Sequence, residues 1–144
     1  KLKKREESKS LIILVNSMKM LLKYTNDVPQ KAIEILNKAS KPTTIIYRNP
    51  KGLANNVVAK DNTVAIRIVQ DDFCREVIRQ FGKPIVSTSA NISGKPTPKS
   101  FSEIDNTILD SVDYIVNLQQ EKIATSSSTI LRITEADEIE VIRE

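Results

Sequence analysis

The run Thr63-Val64-Ala65-Ile66-Arg67-Ile68-Val69-Gln70-Asp71-Asp72-Phe73-Cys74-Arg75-Glu76-Val77-Ile78-Arg79-Gln80-Phe81-Gly82 changes its apolar period part-way along. In the first half Val64, Ile66 and Ile68 alternate with Thr63, Ala65, Arg67 and Val69, which is the period of a strand showing one set of side chains to each face. In the second half Phe73, Val77, Ile78 and Phe81 recur at helical spacing over Asp72 to Phe81. Gly82 follows, and glycine is the residue that most readily ends a helix in the left-handed conformation. A strand running directly into a helix is the building unit of an α/β fold.

The flanks extend that pattern. Upstream, Leu11 to Val15 reads as a short buried strand, and Asn16 or Ser17 can cap a helix reaching about Lys23. Pro29 suits the first turn of a second helix that places Ala32, Ile33, Ile35, Leu36 and Ala39 largely on one side and stops before Pro42. Thr43 to Tyr47 reads as a β-branched strand, Asn49-Pro50-Lys51-Gly52 as a turn, Asn56 to Ala59 as a short strand, and Asp61-Asn62 as another turn. Downstream, Pro84 to Val86 leads out of the core into Ser87 to Pro98, a segment too polar and too rich in turn residues to be buried. Ser100 and Glu103 have capping-box spacing and predict a helix towards Leu109. Tyr114 to Val116, Thr129 to Ile133 and Ile139 to Ile142 read as short strands. The expectation is an α/β sheet in mixed order, of about eight strands and four helices, in one domain over 1–144.

Composition narrows the chemistry. The 144 residues are 40% hydrophobic, enough for one domain burying about two thirds of its unfolded surface. There is no His, which excludes Ser-His and Cys-His nucleophile pairs and removes the commonest neutral zinc ligand. The single Cys74 forms no internal disulfide, as a reducing cytoplasm tolerates. No apolar run approaches the roughly 20 residues of a membrane span, and no signal-peptide core is visible, so the sequence reads as cytoplasmic with no membrane partner. A formal charge of +4 favours anionic partners, while 4% aromatics and no Trp disfavour an RNA surface built on stacking. The charged run Lys1 to Lys9 enters the apolar strand at Leu11 with no Met, cap or turn, and the expectation is an element upstream that covers it.

Four constellations could carry chemistry. In an extended segment Lys3 and Arg5 project to one face and could close on a phosphate, or they could belong to a solvated basic tail. The Ser87 to Gly94 segment, with Ser89 and Asn91, offers short donors that could hold an anion or could form an ordinary hydroxyl-rich turn. Arg67 lies in an otherwise apolar strand and needs a carboxylate or phosphate partner, either a structural ion pair or a ligand; Thr63 shares its face. Ser126 to Thr129 could bind a small polar ligand or fill a turn, and Arg143 alone says nothing.

Taken together, Lys3-Lys4-Arg5 before Leu11-Ile12, Val64-Ala65-Ile66-Arg67, Ser87-Thr88-Ser89-Ala90-Asn91-Ile92-Ser93-Gly94 and Ser128-Thr129-Ile130 resemble, in order and spacing, the YrdC-like threonylcarbamoyl-AMP synthases. The resemblance spans essentially the whole chain, and its Lys-x-Arg and Ser-x-Asn pairs are the family's signature tetrad. It implies a twisted, mixed open sheet with flanking helices and a basic concave cavity. It also implies an enzyme that makes threonylcarbamoyl-AMP and pyrophosphate from L-threonine, bicarbonate and ATP, with Mg2+ carried by the phosphates. The product serves tRNA threonylcarbamoyladenosine modification, so tRNA or the tRNA-modifying transferase complex is an implied partner. Residue by residue, Lys3, Arg5, Ser89 and Asn91 take the tetrad positions, with Arg5 and Asn91 on the ATP phosphates. Thr63 and Arg143 match nucleotide contacts, while Arg67 and Ser128 match threonine contacts, Arg67 to the carboxylate.

Three positions depart from the family pattern. Ser10 stands where Pro is usual, Leu14 where many members have His on the threonine side, and Lys99 where Thr is common. The family's opening helix, strand and Pro-Thr-x-Thr loop have no counterpart, so the chain is expected to lack that segment. The chain is also expected to lack the separate C-terminal domain of longer members, which implies the short, TsaC-type form. The alternative from another class is a non-catalytic RNA-binding module of the same fold.

Overall fold

The computed structural model describes residues 11–125 and 127–144. The chain divides into a larger compact unit, Ser10–Ser87 with Ser128–Glu144, and a smaller one containing Thr88–Ser127.

The larger unit holds one six-stranded sheet. Its strands are β1 (Ile12–Val15), β2 (Thr43–Arg48), β3 (Thr63–Ile68), β4 (Ile85–Ser87), β5 (Thr129–Ile133) and β6 (Ile139–Arg143), in the spatial order β4-β1-β3-β2-β5-β6. The β1–β3 and β2–β5 pairs are parallel and the other three antiparallel, so the expected mixed α/β sheet is present. Register aligns Ile13 with Ile66, Ile66 with Ile45, and Ile45 with Leu131. This row is essentially solvent-free and forms the floor of the core. Each such aliphatic side chain contributes about 1.5–3 kcal/mol on burial.

Helices α1 (Met18–Leu21) and α2 (Gln30–Lys38) supply the residues that complete the core: Leu21 and Ala32 fully buried, Met18, Ile35 and Leu36 packed against them. The Ser17 hydroxyl caps α1 by accepting the Met20 amide at 3.2 Å. Helix α3 (Asp72–Phe81) begins where the Asp71 carboxylate accepts the Cys74 amide at 2.9 Å and ends at Gly82, whose φ of +73° is the left-handed cap the sequence predicts. Its apolar stripe is only partly used. Ile78 is fully buried, whereas Phe73, Val77 and Phe81 remain 40%, 37% and 60% exposed.

Three predicted elements differ. The segment expected as a strand at Asn56 to Ala59 forms a 3-10 turn, Asn55–Val57, and the bonds Ala59 N–H to Thr63 O and Asn62 N–H to Ala59 O commit its backbone to the turn entering β3. The helix expected from Ser100 breaks in two: a 3-10 turn at Phe101–Glu103, then α4 (Asn106–Leu109). The break falls at Asp105, which has extended backbone and caps α4 itself, while Glu103 accepts the Lys99 amide instead of closing a capping box. Tyr114 to Val116 joins no sheet, and Tyr114 is 78% exposed; a β-prone triplet with no ladder partner stays irregular. Among the described residues six strands therefore replace the expected eight or so. Among the described residues no helix is long and apolar enough to cross a membrane.

Candidate active site

On the sheet face opposite the isoleucine row, register sets a second row across all six strands: Ile85, Leu14, Arg67, Thr44, Ile130 and Arg143. Arg143 reaches this row through a β-bulge. Leu131 pairs with Val141, yet the next pair is Ile130 with Arg143, so β6 carries one extra residue there and presents Arg143 where an unbroken ladder would present Ile142.

The two arginines converge. Arg67 Nε donates to Thr44 Oγ1 at 2.8 Å, and Arg67 Nη2 donates to Ser128 Oγ at 2.7 Å. From the other side Arg143 Nη2 donates to the same Ser128 Oγ at 2.9 Å, and Arg143 Nε to the Ser128 carbonyl at 3.0 Å. Thr44 is completely buried, and among the described residues no carboxylate pairs with either guanidinium. Burial first, and then the positive charge of Arg143, pulls Arg67 below its ordinary pKa. Two like charges, one of them half-buried, are thus held together by a neutral hydroxyl and a carbonyl. Such an arrangement is unfavourable alone and is relieved by an incoming carboxylate or phosphate that both forks can grip.

In the smaller unit, the segment that could hold an anion or form an ordinary hydroxyl-rich turn is folded around Asn91. Ser89 Oγ donates to Asn91 Oδ1 at 2.5 Å, while Asn91 Nδ2 donates to the carbonyls of Lys95 at 2.6 Å and Ile92 at 3.3 Å. Gly94, at φ +87°, makes the intervening turn possible. Lys95 Nζ pairs with Asp105 Oδ2 at 3.1 Å.

The other predicted residues fall elsewhere. Thr63 shares the Arg67 face but lies four residues away, about 13 Å along the strand, and its hydroxyl donates to Asp61 at 2.6 Å. Lys3, Arg5 and Ser10 lie outside the described residues. Leu14 sits directly opposite Arg67 in the register and gives that guanidinium an apolar neighbour. Cys74 is a free thiol that burial, and then the Asp71 carboxylate beside it, keeps protonated above its usual range, which is not the setting of a nucleophile. Sequence reasoning missed Thr44, whose β-branched side chain reads as strand propensity, and the bulge, which no residue pattern in β6 announces.

The mixed sheet thus presents two arginines that share one hydroxyl and that no carboxylate neutralises among the described residues. The Sua5_yciO_yrdC family model, described as "Telomere recombination", matches residues 1–144, and the chain belongs to that family. It is 38% identical over 145 residues to a Methanocaldococcus jannaschii protein provisionally named a threonylcarbamoyl-AMP synthase, covering 99% of this chain and 66% of that one. It is 30% identical over 119 residues to the threonylcarbamoyl-AMP synthase of Idiomarina loihiensis, covering 81% of this chain and 64% of that one. The chain thus spans slightly under two thirds of these relatives. The fold matches Pyrococcus abyssi Sua5, solved with L-threonine (TM-score 0.84, 24% identity, 99% of this chain, 42% of that one). It also matches Escherichia coli YciO (TM-score 0.79, 20% identity, 99% of this chain, 69% of that one).

Proposed function

We propose that this chain carries the catalytic domain of an L-threonylcarbamoyladenylate synthase, a single YrdC-like domain over 1–144 that forms threonylcarbamoyl-AMP and pyrophosphate from L-threonine, bicarbonate and MgATP. The observation that carries this proposal is the convergence of Arg67 and Arg143 on Ser128 with no carboxylate partner among the described residues. The kinship with named synthases supports it.

In this proposal Arg67 and Ser128 hold the threonine carboxylate, with Leu14 as an apolar wall. Arg143, Thr63, Asn91 and Arg5 face the nucleotide, and Lys3 and Ser89 complete the tetrad. The threonine amine combines with bicarbonate to give a carbamate, an N–C bond forming as a C–O bond breaks and water leaves; a carbamate oxygen then attacks the α-phosphate, and pyrophosphate leaves. Negative charge grows at the phosphoryl centre, so positioned cations and amide donors lower the barrier without a protein nucleophile. The adenylate then passes to the machinery that modifies tRNA.

Pyrophosphate release by the native protein, with each substrate omitted in turn, tests the proposal. Release that requires ATP, threonine and bicarbonate together is expected. Release indifferent to threonine would overturn it.

A further inference from the structure

Asn91 is held by what holds Lys95. The Asn91 amide ends on the Lys95 carbonyl, and Lys95 is fixed at both ends: its backbone N–H donates to Ile92 O at 3.0 Å, and its ammonium meets Asp105 Oδ2 at 3.1 Å. Asp105 is anchored in turn. Its other oxygen, Oδ1, accepts the Thr107 amide at 3.0 Å at the start of α4, and its carbonyl accepts the Ile108 amide at 2.9 Å. One carboxylate therefore caps a helix with one oxygen and straps the loop with the other. A second strap lies beside it, where Glu103 Oε2 accepts the Lys99 amide at 2.8 Å.

An exposed ion pair of this kind contributes little to global stability. Its geometric effect is larger, because it fixes the carbonyl that aims the Asn91 amide. We infer that Asp105 is a positioning residue: acting through Lys95, it sets the orientation of Asn91 and so prepares the Ser89-x-Asn91 loop to receive a nucleotide phosphate. The inference rests on the proposed function for the phosphate and on observed hydrogen bonds for the strap. The strap also gives a role to Lys95 and Asp105, which belong to no signature motif.

Asp105→Ser separates the two duties, since serine retains the helix cap and removes the partner of Lys95. Calorimetry with MgATP and with L-threonine, together with proton exchange at the Asn91 side-chain amide, reads the result. Asp105→Ser and Lys95→Gln are each expected to weaken MgATP binding about fivefold or more, leave threonine binding unchanged, and speed Asn91 amide exchange. MgATP affinity unchanged in Asp105→Ser would overturn the inference, as would parallel loss of threonine binding, which marks general damage. If the wild-type protein binds no MgATP, the phosphate assignment of the loop fails. Exchange at Asn91 then decides the strap alone: faster in Asp105→Ser supports it, and unchanged refutes it.

Discussion

Arg67 and Arg143 donate to the same oxygen, Ser128 Oγ, from 2.7 and 2.9 Å. The hydroxyl has two lone pairs and both are used, so each fork is aimed before any ligand arrives. Arg67→Lys keeps the charge but loses the planar fork that also reaches Thr44. It is expected to weaken threonine binding about tenfold or more, about 1.4 kcal/mol, with a smaller effect on ATP, as read by the two apparent KM values. Equal effects on both, with a lower Tm, would identify a structural pair instead.

Arg143→Met should separate stability from function. Burial first, and then repulsion from Arg143, lowers the Arg67 pKa; removing the neighbouring charge relieves that second contribution, so the ligand-free Tm is expected to hold or rise. The increase in Tm produced by MgATP should shrink, because the cation proposed to face the nucleotide is gone. Thermal unfolding with and without MgATP measures both.

Ile66 stands at the centre of the core, with Ile13 on one side and Ile45 on the other, and is 1% exposed. Ile66→Ala is expected to cost about 2–5 kcal/mol in urea unfolding. Phe81→Ala, on the largely exposed part of α3, should change stability by about 0.5 kcal/mol or less. Comparable losses would mean that the α3 stripe packs more closely than its exposure shows.

The strands and helices that share one buried face were legible because a single physical signal, apolar period, specifies them. β3, α3 and the Gly82 cap follow directly from alternation, helical spacing and a glycine at the required position. Short segments without a buried face to share were not legible. Tyr114 to Val116 has strand propensity without a partner, and the Ser100–Glu103 pair has capping spacing but loses its cap to Asp105. At the site, Arg67 and Ser128 could be singled out because a cation in an apolar strand and a hydroxyl cluster are locally anomalous. The position of Arg143 was not visible, because a bulge depends on the register between two strands and leaves no mark within either one.

Tyr47 is 1% exposed, and burial raises its phenol above the ordinary value of about 10. The folded state then keeps its proton at a pH where the unfolded chain releases it. The resulting stability is fully present below the unfolded pKa and is lost as pH rises above about 10, with a slope approaching 1.4 kcal/mol per unit. Urea midpoints between pH 8 and 11 should fall more steeply for the wild type than for Tyr47→Phe. Equal slopes would show that Tyr47 ionises freely in the folded protein.

The central claim, that Arg67 and Ser128 grip a carboxylate, is tested most directly by calorimetric titration of the protein with L-threonine and with L-threoninamide, which differ at that group alone. Threonine is expected to bind, threoninamide to bind at least about tenfold more weakly, and Arg67→Met to remove the difference. Equal binding of the two ligands by the wild type, or a preference for threonine that survives in Arg67→Met, would contradict it.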